Sequence, residues 1–153
     1  MLSESDQVLY VSASGQDTIN GKPNPGTDRS KPLKTFAAAV NRANKRRFIG
    51  SSCCKIYLTS NYTFTLNSTG TGFSNGIVFQ HPDFSGSSKY FHIYGDVGSG
   101  ADGTNSAATI TVDYTGVQDG LHYTNAIYAD CNVYFHKLTI KSKFVVVPNS
   151  RLS

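Results

Sequence analysis

The sequence predicts a mostly β protein with a single helix near its N-terminus. Charged residues make up only 16% of the 153 residues, and Gly, Ser, Thr and Asn recur throughout, which is typical of short strands joined by many turns. One early segment has the 3.6-residue period of an amphipathic helix, and the segments after it have the two-residue period of strands. The length corresponds to one structural domain.

The N-terminal third predicts a strand, a long loop and the helix, in that order. Residues 8–12 form a short apolar run with strand propensity, and residues 13–31 are rich in Gly, Asn, Asp, Pro and Ser, which predicts a surface loop. Thr35 is a candidate N-cap for a helix over 35–45. The apolar side chains that share one face of this helix, and that we expect to be buried, are Phe36, Ala39, Val40 and Ala43.

The rest of the chain alternates apolar and polar residues in short runs separated by turns. Strands are predicted at 55–59, 62–66, 76–80, 89–94, 108–114, 126–129, 132–135, 138–141 and 144–147. Tight hairpin signals are almost missing, since Asn75-Gly76 is the only dipeptide that we interpret as a tight hairpin turn. This favours a coil of parallel strands, with rungs of roughly twenty-odd residues, over an antiparallel sandwich.

The order of segments at the start of the chain is itself informative. The first strand and its Gly/Asp/Asn-rich loop lead to Pro32-Leu33-Lys34-Thr35, then to the helix, and Lys55-Ile56-Tyr57-Leu58 follows. Over about residues 8–60 this arrangement resembles the opening module of pectate-lyase-like β-helix proteins, of the phage tail spike and tail fibre type. The resemblance implies a right-handed parallel β-helix. Residues 1–54 would be its first strand, loop and capping helix, and residues 55–153 the first coils of a longer protein.

The resemblance leaves the function open, because one fold can carry many functions. We expect a structural protein like a phage tail spike or tail fibre, which presents the β-helix for attachment to host surface polysaccharide. Such a protein would be a homotrimer in the virion tail and would be made in the host cytoplasm. The alternatives are a polysaccharide lyase or glycoside hydrolase with catalytic rungs outside this segment, and an adhesin on the bacterial cell surface.

The alternation of the later strands predicts which side chains face outward. If Phe91, Ile93, Ile110 and Val112 are inside, the aromatic, imidazole and carboxylate groups between them form outward stripes. Rings with polar tips can pack against sugars, which makes this a candidate glycan-binding surface. Its residues are Tyr90, His92, Tyr94, Asp113, Tyr134 and His136. These stripes could equally be ordinary exposed strand residues or a subunit interface.

Other functional classes have less support in the sequence. The acids after the helix are isolated Asp residues, and no Glu follows Glu4, so we predict no catalytic residue in this segment. The four histidines lack metal-site spacing, so neither a metal nor another cofactor is predicted. Lys45-Arg46-Arg47 is interpreted as a basic helix end, which predicts no nucleic-acid partner. No apolar stretch predicts insertion into a membrane.

Overall fold

The computed structural model describes residues 2–3, 5–67, 77–79, 91–116, 127–129 and 131–143. Within these ranges the chain forms one helix and thirteen strands, so the protein is mostly β, as predicted. In chain order the elements are β1 (Leu2–Ser3), β2 (Gln7–Val11), β3 (Thr18–Ile19), β4 (Lys22–Pro23), α1 (Phe36–Ala43), β5 (Arg47–Phe48), β6 (Cys54–Leu58), β7 (Tyr62–Asn67), β8 (Ile77–Phe79), β9 (Phe91–Gly95), β10 (Ala108–Gly116), β11 (Ile127–Ala129), β12 (Val133–His136) and β13 (Leu138–Lys143). The strand predicted at 144–147 lies outside the described residues.

Consecutive strands after the helix do not pair with each other. From β6 onward, each strand pairs with the strand three places further along the chain, and every one of these pairs is parallel. The resulting sheets have the orders β12-β9-β6-β2, β13-β10-β7 and β11-β8. Parallel pairing requires a crossover between partners, and here the two intervening strands, which belong to the other two sheets, form part of that crossover.

The repeat is longer than the sequence predicted. Gln7, Cys54, Phe91 and Val133 occupy the same position on successive strands of the four-stranded sheet, so one repeat spans 47, 37 and then 42 residues. The prediction of rungs of twenty-odd residues was therefore wrong. Long loops between strands, such as the loop over 96–107, lengthen the repeats without changing which strands pair.

The core lies between the sheets and is filled by alternate side chains of the strands. Leu9, Ile56 and Ile93 are in register on three neighbouring strands and are fully buried, so they stack as one apolar row. Burying a side chain of this size contributes about 1.5–3 kcal/mol. Phe135 continues the row on β12, yet it is 41% exposed. In the described part of the chain no strand pairs with the outer edge of β12, so Phe135 is covered on one side only.

The helix is where the sequence predicted it, although it ends two residues earlier. Thr35 is the N-cap, and its hydroxyl accepts a hydrogen bond from the N–H of Ala38. Beyond Ala43 the backbone continues in tighter turns, with the N–H of Arg46 donating to the carbonyl of Ala43. The buried face is the predicted one. On that face Phe36 packs against the rings of Tyr62, Phe64 and Phe79, with ring centres 5.6, 5.9 and 6.2 Å apart.

The surface loop predicted at 13–31 is more ordered than its composition suggested. Asn20 and Gly21 have φ of 51° and 74° and link β3 to β4, which is the geometry of a tight antiparallel hairpin. Asn20-Gly21 is thus a hairpin signal that the sequence interpretation did not count, while Asn75-Gly76 lies outside the described residues. Asn24 is 2% exposed, and its side-chain amide donates to the carbonyls of Gln16 and Lys31, which holds the loop closed.

The described residues include no helix that is long and apolar enough to cross a membrane.

Candidate functional site

Strand alternation separates inward from outward side chains on β9, as predicted. Phe91 and Ile93 are fully buried. His92 and Tyr94 are half-buried on the opposite face of the strand. Because β9 pairs with strands on both sides in register, this outward face continues on its neighbours.

Asp113 is separated from the other candidate residues. It lies on β10, between the register positions of Thr65 on β7 and Lys143 on β13, and its side chain is half-buried. That sheet is distinct from the one that contains β9 and β12. Tyr90, another candidate, lies outside the described residues.

The remaining four candidates come together on the outward face of the four-stranded sheet. In-register pairing aligns this face in two rows: one contains Lys55, His92 and Tyr134, and the other contains Tyr10, Tyr57, Tyr94 and His136. We call the six rings the aromatic ladder: Tyr10, Tyr57, Tyr94, His136, His92 and Tyr134. The parallel register builds the ladder, because it brings side chains that are far apart in sequence to the spacing of adjacent strands.

Neighbouring rings of the ladder cover each other's faces. The ring centres of Tyr57 and Tyr94 are 5.1 Å apart with planes at 19°, and those of Tyr94 and His136 are 4.5 Å apart at 11°. Adjacent strands lie about 4.8 Å apart, so near-parallel rings on them necessarily stack. The ladder therefore offers mainly ring edges and polar tips to a ligand. Stacking of sugar faces onto exposed ring faces, which the sequence suggested, is restricted by this packing.

The tyrosine hydroxyl groups differ in whether the protein already uses them. The hydroxyl of Tyr10 donates a hydrogen bond to Asp102, and that of Tyr62, on another sheet, donates to the carbonyl of Lys34 at 2.7 Å. Among the described residues, no protein group hydrogen-bonds the hydroxyls of Tyr57 and Tyr94. These two hydroxyls are available to a ligand.

An ion pair flanks the ladder beside His92. The Lys55 ammonium lies 3.0 Å from Oδ2 of Asp6, whose Oδ1 accepts a hydrogen bond from the backbone N–H of Cys53 at 3.0 Å. Partial burial alone would raise the pKa of Asp6, but the bonds from Lys55 and Cys53 outweigh it and lower that pKa. The hydrogen bond to Asp6 likewise raises the pKa of Lys55. Both groups stay charged at neutral pH and largely compensate each other.

Arg29 anchors the other end of the ladder, above Tyr10. Its guanidinium carbon lies 5.9 Å from the centre of the Tyr10 ring. One guanidinium nitrogen contacts Asp96 at 2.7 Å and Asp102 at 3.1 Å, and the other donates to the carbonyls of Asp96 and Gly98 at 2.7 and 2.9 Å. Arg29 thus joins its own loop to the loop over 96–107.

Asp96 is the centre of that loop. Its side chain is fully buried, and besides Arg29 it accepts hydrogen bonds from the N–H groups of Gly103 and Asn105, each at 3.1 Å. Burial alone would raise the pKa of Asp96, but the hydrogen bonds from Arg29 and the two N–H groups lower it. In the sequence, Asp96 and Asp102 are isolated acids. The structure brings them to one guanidinium, where they act as an anchor.

Sequence reasoning missed the residues at the N-terminal side of this face, namely Tyr10, Tyr57, Lys55 and Arg29. The signal for the first three was present, because the alternation rule places Tyr10 outward between Leu9 and Val11. Applied to 55–59, the same rule places Lys55 and Tyr57 outward. No local pattern identified Arg29, whose partners lie 67 and 73 residues away.

No family model, curated protein or solved structure matches the chain. Among the residues that the structure describes, no cluster of three or more His, Cys, Asp or Glu side chains could hold a metal ion.

Proposed function

We propose that the chain forms the first coils of a right-handed parallel β-helix of the pectate-lyase-like kind. We further propose that it is a structural protein like a phage tail spike or tail fibre. In this proposal the aromatic ladder attaches a homotrimer in the virion tail to polysaccharide on the host surface.

The pairing pattern supports the coil. Strands β6 to β13 visit three sheets in a fixed cyclic order, and each returns to its sheet one layer further on in the same direction. A chain that winds continuously around one axis produces this pattern, whereas hairpin-linked strands would pair antiparallel with their neighbours. Right-handedness follows from the general rule that crossovers between parallel strands are right-handed in about 98% of cases.

The contacts of the N-terminal segment support its role as a cap. The edge of β2 that faces away from β6 is covered by its own loop: the N–H of Tyr10 donates to the carbonyl of Gly26, and Leu33 exchanges backbone bonds with Tyr10 and Ser12. Covering an edge strand removes a template for unwanted pairing. The apolar face of α1 then packs on β2 and β8 beside this edge.

One observation carries the attachment hypothesis: the hydroxyls of Tyr57 and Tyr94, which no described protein group uses, lie on adjacent strands of one sheet. The spacing of these strands, about 4.8 Å, is close to the length of one sugar unit. A polysaccharide lying across the strands would present hydroxyl groups to each tyrosine in turn. Tyr134, which is 41% exposed, extends this surface on β12.

The test is binding of the purified chain to an array of bacterial surface polysaccharides. The double variant Tyr57→Phe/Tyr94→Phe keeps both rings stacked and removes only the two hydroxyls. We expect at least about a fivefold loss of affinity, since each of the two lost hydrogen bonds contributes about 0.5–1.5 kcal/mol. Tyr62→Phe is the matched control, because it removes a hydroxyl from a different sheet, and its affinity should equal that of the wild type. Absence of binding to any polysaccharide, or equal binding by the double variant, would refute the attachment role.

The same samples distinguish the alternatives. A lyase or hydrolase would release unsaturated uronates or new reducing ends from a bound polysaccharide, whereas an attachment protein releases neither. Light scattering tests the trimer, for which the expected mass is three times that of one chain.

A further inference from the structure

The cations beside the two ends of the aromatic ladder are already bound by other protein groups. Beside His92, the ammonium of Lys55 lies 3.0 Å from the carboxylate of Asp6. Above Tyr10, the guanidinium of Arg29 is held by two carboxylates and two backbone carbonyls. Both cations therefore have opposite charge beside them within the protein.

A third cation lies at the turn between β12 and β13. The ammonium of Lys137 donates to the carbonyls of Gly103 and Asn105 at 3.2 and 3.3 Å. These carbonyls belong to the loop over 96–107, which also contains two carboxylates. Among the described residues, the cations that flank the ladder are thus Lys55, Arg29 and Lys137, and the carboxylates are Asp6, Asp96 and Asp102. Their formal charges balance.

The exposed fractions show what an approaching charge would meet. In the pair beside His92, the side chains of Lys55 and Asp6 are 33% and 34% exposed. At the other end, Asp102 is 36% exposed and Arg29 only 22%. A charged ligand therefore meets a carboxylate at least as readily as a cation at both ends, and the pairs attract neither sign of charge strongly.

The ladder offers hydroxyl groups to a ligand. The hydroxyls of Tyr57 and Tyr94, which no described protein group uses, can each donate and accept a hydrogen bond. Sugar hydroxyls have the same two capacities, so each side can satisfy the other. A carboxylate only accepts, and its removal from water is costly unless a cation replaces the lost hydration.

We infer that the polysaccharide bound by the aromatic ladder carries no charge. This inference rests on the proposed attachment function and names the class of its ligand. An acidic chain would lose hydration beside cations that Asp6, Asp96 and Asp102 already compensate. A chain of protonated amino sugars would likewise meet carboxylates that are already paired.

The test starts from the polysaccharides on the array whose binding weakens in Tyr57→Phe/Tyr94→Phe. All of them should be neutral polysaccharides. Their affinity for the intact chain should change less than about twofold between about 0.05 and 0.5 M NaCl, because salt screens only interactions between charges. All affinities are measured at about pH 8.5, which is above the range in which imidazole ordinarily titrates.

A variant that unpairs one cation provides the complementary measurement. Asp6→Asn removes the charge that compensates Lys55 and keeps an oxygen that can accept from the N–H of Cys53. We expect about a fivefold gain of affinity for polygalacturonate, an acidic polysaccharide, at about 0.05 M NaCl. Affinity for the neutral polysaccharide should not change. Asp113→Asn is the matched control, because it makes the same charge change on a different sheet and should gain no affinity.

The outcomes separate this inference from the attachment function. If an acidic polysaccharide binds through the two tyrosines and weakens at least about tenfold in about 0.5 M NaCl, the inference is overturned and the attachment function stands. Equal affinity of the wild type and Asp6→Asn for polygalacturonate would also overturn the inference. If no polysaccharide on the array binds through the two tyrosines, the attachment function fails, and the inference fails with it.

Discussion

The two ends of the aromatic ladder, at β2 and at β12, differ in how the protein holds them. Tyr10, at the β2 end, is buried beneath Arg29, and its hydroxyl is bound to Asp102. Tyr134, at the β12 end, is 41% exposed. The ladder therefore changes from a packed, charged anchor to an open surface within four strands.

This difference shows that outward positions on different strands of one parallel sheet can have different roles. The register supplies the same spacing at every layer, whereas the loops decide what covers each ring. The loops that contain Arg29 and Asp96 close over the β2 end. Between the two ends, Tyr57 and Tyr94 retain the ring stacking without the loop contacts, which leaves their hydroxyls for a ligand.

The largest expected effect comes from removing the buried carboxylate of Asp96, which binds Arg29. Asp96→Ala leaves the guanidinium of Arg29 and the N–H groups of Gly103 and Asn105 without their buried acceptor. Removing one member of a buried charged pair typically costs about 3–5 kcal/mol. We expect a decrease of this size in the free energy of unfolding, measured by urea denaturation. Asp102→Asn is the control, because Asp102 is 36% exposed and its loss should cost much less. Equal effects of the two substitutions would contradict a buried anchor at Asp96.

The next largest effect compares the core beneath the ladder with the last described layer. Ile93 is fully buried, whereas Ile140 of β13 is 45% exposed although its register partner Ile110 is buried. Ile93→Ala should lower the free energy of unfolding by about 2–5 kcal/mol, since it leaves a cavity. Ile140→Ala makes the same chemical change and should cost less than about 1 kcal/mol. Thermal and urea unfolding measure both variants, and similar losses would show that Ile140 is covered in solution.

The smallest effect concerns the hydroxyl groups of the ladder. Tyr10→Phe removes a hydrogen bond to a carboxylate and should lower the free energy of unfolding by about 1.5 kcal/mol. Tyr94→Phe removes a hydroxyl that no described protein group uses, so its effect should stay within about 0.5 kcal/mol. Urea denaturation of the two variants under identical conditions provides the comparison. A larger loss for Tyr94→Phe than for Tyr10→Phe would contradict the finding that the protein uses the hydroxyl of Tyr10 and leaves that of Tyr94 to a ligand.

The titration of Tyr10 provides a second measure of the same contact. Burial, together with the hydrogen bond to Asp102 and its charge, raises the pKa of Tyr10 to about 12. The folded protein holds this proton more tightly than the unfolded chain. Its contribution to the free energy of unfolding is therefore complete below the ordinary tyrosine pKa of about 10. It is lost as the pH rises from there towards about 12. Tyrosinate absorbance should show a late-titrating tyrosine that disappears in Tyr10→Phe.

Part of the candidate site was accessible from the sequence, and part was not. The alternation of Phe91, His92, Ile93 and Tyr94 predicted which side chains face outward, because successive residues of a strand point to opposite faces. Which strands pair with each other was not predictable in this way. Asp113 has the same outward parity, yet its strand joins a different sheet, since alternation carries no information about which strands become neighbours.

The sequence by itself determined the local elements: the N-cap at Thr35, the buried face of the helix, and the periods of the strands. These depend on residues within a few positions of each other, so local chemistry is sufficient to define them. Only the tertiary structure decided the register, which stacks Tyr57 on Tyr94 and places His92 beside His136. It alone also brought Arg29 to Asp96, 67 residues away. Such contacts depend on the lengths and paths of the intervening loops, which the alternation pattern does not encode.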